Sequence, residues 1–168
     1  RRKGVTLVSL MEHHSNDLPH RSRGKVVHFG VKDDGTLDYD DLEAKLGSHR
    51  VKLVAVTGAS NVTGYLTDMH RIARMAHAHG AKVLIDGAQV LAHAPVDMLP
   101  NDDPGHLDFF AGAGHKAYAP FGSSFLFGPT ELFDEAPPYI PAGGTVVYVT
   151  EDEAYYKKSP DRHEGGTP

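Results

Sequence analysis

The chain has 168 residues, 40% of them hydrophobic, which is enough to bury a substantial core. Its formal net charge of -5 lacks the basic footprint that phosphate-backbone binding needs, so nucleic acid is not an expected partner. No cysteine is present. That excludes a disulfide scaffold and a thiolate zinc site, and it is compatible with a reducing cytoplasm.

Residues 5–11 are the first apolar run, short and β-branched, interrupted by Ser9 and closed by Glu12-His13-His14. The run is too short for a transmembrane helix, and no membrane association is expected. Arg1-Arg2-Lys3 imitates the charged start of a signal peptide, but no small-residue cleavage site follows, so a buried strand is expected instead. Residues 25–31 repeat that character. Asp38 then offers an N-cap, Tyr39, Leu42 and Leu46 share one helical face, and Gly47 supplies a stop, predicting a helix over 39–46. A buried strand follows at 51–56. From Thr67 or Asp68 to Gly80, the spacing of Met69, Ile72, Ala73 and Ala76 predicts a second helix, and 82–85 is again a strand. Further short strands are expected at 107–111, 123–127 and 146–149, with polar or Pro/Gly-rich joints at 101–105 and 136–144. Strands alternating with helices point to an α/β domain: a mostly parallel sheet flanked by helices and joined by right-handed crossovers.

In open parallel sheets ligands bind beyond the carboxyl ends of the strands, and Asp86 closes the run Val83-Leu84-Ile85 at such an end. A poorly solvated carboxylate there needs a positive or proton-bearing partner, and a pyridinium nitrogen is one. The plainer reading is that Asp86 caps the helix that follows. Its neighbours decide between the two. Asp86-Gly87-Ala88-Gln89 is followed downstream by Gly114-His115-Lys116. Glu12-His13-His14-Ser15-Asn16 lies upstream, Ser60-Asn61-Val62-Thr63-Gly64 follows the third strand, and Arg162-His163-Glu164-Gly165-Gly166-Thr167-Pro168 ends the chain. Each string is weak singly. In this order, together they resemble class V, fold-type I enzymes dependent on pyridoxal phosphate, of the aminotransferase and cysteine desulfurase kind.

The resemblance implies the large, cofactor-binding domain of such an enzyme, acting at the α-carbon of an amino acid. Lys116 would form the Schiff base with pyridoxal 5'-phosphate, and Asp86 would pair with the ring nitrogen so that the ring stays an electron sink. His13 would lie flat against the ring and exchange protons near the reacting carbon. Asn61 and Gln89 would donate to the phenolic oxygen, since amides donate without adding charge, and His115 would reach the phosphate. Relatives commonly carry serine three residues before the lysine, where this chain has Ala113. One phosphate hydrogen bond is then missing, which costs about 1–3 kcal/mol of cofactor affinity unless another donor compensates. The resemblance also implies a cytoplasmic homodimer, with the Gly143-Gly144-Thr145 turn near the neighbouring active site.

Family members carry a glycine/threonine phosphate loop before the Glu-His-His segment and a small domain after the Gly-Thr-Pro. By that standard the chain reads as an internal fragment, a single partial domain. Two other readings stand beside the enzyme. One is a remnant of the same fold serving assembly only, favoured by Ala113 and the short length. The other is a histidine-rich metal binder, since 12 histidines are present. Spacing argues against the latter: His77 and His79 would face different sides of a helix, and His70 and His77 would be too far apart along its axis.

Overall fold

A computed structural model describes residues 4–166, so Arg1-Arg2-Lys3 and the closing Thr167-Pro168 lie outside the described residues. β-Branched runs form the strands β1 (Val5–Ser9), β2 (Lys25–Phe29), β3 (Val51–Thr57) and β4 (Lys82–Asp86), followed by β5 (Phe109–Ala113) and β6 (Ser124–Phe127). They make one six-stranded sheet in the order β2-β1-β3-β4-β5-β6. The first five strands are parallel and β6 runs antiparallel to β5, as the predicted mostly parallel α/β architecture requires. Short helix α1 (Leu18–Arg23) joins β1 to β2, α2 (Tyr39–Ser48) joins β2 to β3, and α3 (Met69–Ala78) joins β3 to β4.

The core is the apolar faces of these elements pressed together: Leu7, Phe29, Val54, Val56, Val83 and Ile85 from the strands, Leu42 and Leu46 from α2, Ile72 and Ala76 from α3. All are buried. From Gly128 on, the chain forms a second compact unit with a helix α4 (Thr130–Glu135) and a hairpin of β7 (Val146–Val149) and β8 (Ala154–Tyr156), on which Tyr148 and Tyr155 stack at 4.3 Å.

Several boundaries differ from expectation by one or two residues, and three of them show a local reason. The first strand stops at Ser9, not residue 11, because the Ser9 hydroxyl accepts from Met11 N and donates to Glu12, folding the chain into a turn. Helix α2 begins at its Asp38 cap, which accepts from Asp40 N and Asp41 N at 3.1 and 3.0 Å, but runs through Gly47 to Ser48. There the Ser48 hydroxyl bonds the Ala44 carbonyl at 2.7 Å, and His49 N–H bonds that of Lys45 at 3.1 Å, so side chain and backbone satisfy the last turn without a glycine stop. Strand β5 starts at Phe109, two residues late, because the Asp108 carboxylate accepts the Val83 N–H at 2.9 Å in place of a backbone partner. Helices α1 and α4 and strand β8 were not expected from the sequence; all are short and carry little periodicity.

Gly87 explains why the turn after β4 tolerates no side chain. A Cβ there would lie 2.0 Å from Cζ of Phe110, so the ring on β5 packs directly on the glycine backbone. Gly87→Ala should therefore destabilise the fold by about 1–3 kcal/mol through overpacking. Gly24→Ala, with extended backbone and nothing within 4 Å, should stay within about 0.5 kcal/mol. Denaturant melts of the two variants check the contrast.

Candidate active site

The strand order reverses its direction of growth between β1 and β3, and in open α/β sheets the crevice at such a reversal, beyond the carboxyl ends, is where ligands bind. A cavity of about 480 Å³ lies there. His13 reaches it from beyond β1, Thr57 and Asn61 from the end of β3 and its loop, Asp86 and Gln89 from β4 and its turn, and His115 and Lys116 from beyond β5. The six residues singled out from sequence thus line one cavity.

Local structure fixes each of them. Asn61 rides on a tight turn in which the Ser60 hydroxyl accepts from Val62 N and Thr63 N at 3.2 Å, and Gly64 N bonds Ser60 O at 3.0 Å. Gly64 has φ +73, which explains the glycine of Ser-Asn-Val-Thr-Gly. Lys116 and His115 sit on a 3-10 turn, Gly114–Ala117, capped by Tyr118 in the left-handed region. That turn docks through Gly114 N on Ser123 O at 2.7 Å, and a Cβ on Gly114 would stand 2.8 Å from the same oxygen. His13 caps a second 3-10 turn, its Nδ1 accepting from Ser15 N at 3.2 Å. The neutral ring therefore carries its hydrogen on Nε2.

Asp86 makes the plainer of the two contacts that the sequence suggested, although what it caps is a turn and not a helix. Its Oδ1 accepts from Ala88 N at 2.9 Å, capping the turn, while Oδ2 has no hydrogen bond among the described residues. The amides of Asn61 and Gln89 likewise have none there and remain available to a ligand. Ala113 lines the cavity where a hydroxyl would sit in the expected pattern.

The sequence reading passed over Glu12, Asn16 and Thr57. The Glu12 carboxylate accepts from Thr57 N at 2.9 Å, from Asn16 Nδ2 at 2.7 Å and from the Ser9 hydroxyl. It thereby clamps the end of β1 to the end of β3 beneath the cavity. Burial pushes its pKa up to about 7 against the pull of the three donors, and the Asp86 charge adds to the rise. The only sequence signal for it was its place at the head of the Glu-His-His string.

Fold and cavity define an open α/β protein with a candidate ligand site at the sheet's switch point. The family model described as Aminotransferase class-V matches residues 1–168. A cysteine desulfurase of Dickeya dadantii is 40% identical over 168 residues, covering 96% of this chain and 40% of its own length. A probable cysteine desulfurase of Chlamydia muridarum is 37% identical over 170 residues, covering 98% and 41%. Among solved structures, the cysteine desulfurase CsdA of Escherichia coli superposes with a TM-score of 0.87 at 32% identity, covering 98% of this chain and 41% of that one. The apo cysteine desulfurase of Thermococcus onnurineus gives 0.84 at 31%, covering 100% and 42%. The chain belongs to the class-V aminotransferase family, and it spans about two fifths of the length of the curated relatives it matches.

Because the folded pKa of Glu12 lies above its ordinary 4.5, the folded state holds a proton the unfolded chain releases. The associated stability is complete below about pH 4.5 and is lost as pH rises through about 7. Between those limits the native protein should lose up to about 3 kcal/mol that Glu12→Gln does not lose. Urea unfolding at both pH values, wild type against variant, gives the difference directly.

Proposed function

We propose that this chain is part of the large domain of a pyridoxal phosphate-dependent enzyme acting at the α-carbon of an amino acid, with the cofactor held by Lys116. The observation that carries this is the convergence of Lys116, Asp86, His13, Asn61, Gln89 and His115 on one cavity of about 480 Å³, a size suited to a cofactor with a small substrate. The donor set also fits: an amine, a carboxylate oxygen without a partner, two uncharged amides and two imidazoles. The names of the relatives favour cysteine as substrate and desulfuration as the branch. No helix among the described residues is long and apolar enough to cross a membrane, and we place the protein in the cytoplasm.

When bound, the cofactor supplies an electron sink for the electron pair left at the substrate α-carbon. Lys116 would hold the cofactor through its Nζ amine. Asp86 Oδ2 would face the ring nitrogen and favour its protonated form, while Oδ1 is held by the Ala88 N–H. Asn61 and Gln89 would donate to the phenolic oxygen. His13, whose Nδ1 accepts from Ser15 N–H, would in its neutral form offer Nε2–H to the site as a donor. His115 would reach the phosphate, with Ala113 leaving that group one local donor short.

Ala113 also favours a second reading, an assembly-only remnant of the fold. Exchange of the substrate α-hydrogen in deuterated buffer separates the two in the full-length protein. The enzyme reading expects exchange in the wild type, and Asp86→Asn retaining cofactor but exchanging slower by orders of magnitude, since an amide cannot keep the ring nitrogen protonated. No exchange in the wild type would favour the remnant, and near-normal exchange in the variant would return Asp86 to turn capping alone.

The missing donor at Ala113 makes one from a second subunit valuable, and we place the Gly143-Gly144 backbone of one protomer near the phosphate of its partner. The Thr145 hydroxyl is buried and donates to Ala142 O at 2.7 Å, so the backbone N–H groups are the candidates. Gly144 has φ +92, so Gly144→Val strains the turn. Mixed dimers of Lys116→Ala and Gly144→Val should recover partial activity, because one of their two sites has both parts intact. Hybrids without recovery, or an active monomer, would contradict the shared site.

A further inference from the structure

At the amino-terminal edge of the same sheet, opposite the cavity, a second group of titratable side chains converges. Asp108 immediately precedes β5 and its side chain is only 2% exposed. Its Oδ2 accepts from Val83 N at 2.9 Å and faces His77 Nε2 at 2.8 Å. Its Oδ1 meets Lys82 Nζ at 2.7 Å and His106 Nε2 at 3.6 Å. Both imidazoles are anchored from behind: His77 Nδ1 lies 2.7 Å from Pro104 O, and His106 Nδ1 lies 2.7 Å from Asp103 O. A carbonyl oxygen only accepts, so each Nδ1 carries a hydrogen, and in the neutral rings both Nε2 lone pairs face the carboxylate.

Both Nε2 atoms and the carboxylate thus converge on one small volume, where a single cation can be shared by all three. The two rings stack at 4.3 Å, and the Lys82 ammonium stands beside the carboxylate. One divalent ion would take a lone pair from each of the three groups. We propose that His77, His106 and Asp108 bind one first-row divalent cation, zinc being best suited to two imidazoles and a carboxylate. The three donor atoms lie within 4.8 Å of one another, so small side-chain shifts bring them onto one ion. Nδ1–H bonded to a backbone carbonyl is the outer-shell arrangement that orients ligating histidines. The two rings are partly exposed, which leaves a fourth position open to water. Lys82 is 45% exposed and can swing into solvent when the ion arrives.

Sequence spacing pointed away from such a site because it compared His77 only with its helix neighbours. His79 indeed turns elsewhere, to Glu43 at 2.9 Å, and His70 to the Gly105 carbonyl. The partners of His77 come from the approach to β5. A bound ion would join the end of α3 to the start of β5, and so brace the strand whose other end leads to the Gly-His-Lys turn. This site does not depend on the proposed activity.

The test is zinc titration of the chelator-stripped full-length protein against a chromogenic competitor, with cobalt absorption reporting coordination. One equivalent should bind, His106→Gln and His77→Gln should each weaken binding by at least roughly tenfold, and His79→Gln should leave it unchanged. Lys82→Gln, which removes the competing ammonium, should tighten it. His106 stands on a loop, and thermal melts without metal will confirm that its variant folds. No stoichiometric uptake by the wild type, or equal affinity in both ligand variants, would overturn the assignment.

Discussion

Thr57, Asp86 and Ala111 stand side by side in register across β3, β4 and β5, so β3 and β4 end together, level with the middle of β5. The cavity depends on that alignment, because most of its side chains come from these strands or from the turns that follow them. Parallel pairing sets the level, and close backbone packing sets the direction of each turn. Gly87 lies against Phe110, and Gly114 lies against Ser123. The end of β1 is tied in by the Glu12 carboxylate on Thr57 N.

Two carboxylates at opposite ends of these strands, Glu12 partly buried and Asp108 fully, illustrate how environment divides one chemistry into two. Glu12 lies among neutral donors and beside Asp86, and burial prevails: its pKa rises to about 7. At Asp108 burial also pushes the carboxyl up, but hydrogen bonds from His77, Lys82 and Val83 N–H hold it below the usual carboxylate range. The first can therefore exist neutral beneath a site that gathers charge, while the second remains a fixed anion that attracts cations.

Much of this was legible because the relevant signals are local. The runs 25–31, 51–56 and 82–85 announce through β-branching the strands that form at 25–29, 51–57 and 82–86, and apolar spacing announces α3, so fold class follows from sequence alone. The lining of the cavity was legible for a different reason: Asn61, Asp86, Gln89 and Lys116 lie in short strings that resemble the family's signatures, and local turns present them. What escaped were contacts across the chain. Glu12 reaching Thr57, and His77 reaching Asp108, join residues far apart in sequence, and no periodicity encodes them. Boundaries failed where a side chain replaced a backbone partner, as Asp108 does for Val83 and Ser48 for the end of α2.

The central claim is that Lys116, and no other lysine, holds the cofactor in this cavity. Its most direct test is borohydride reduction of the full-length protein with pyridoxal phosphate, followed by proteolysis and mass spectrometry of the labelled peptides. The account predicts a single pyridoxyl group on the peptide containing Gly114-His115-Lys116, abolished in Lys116→Ala. A label on a different lysine with Lys116 unmodified would contradict it.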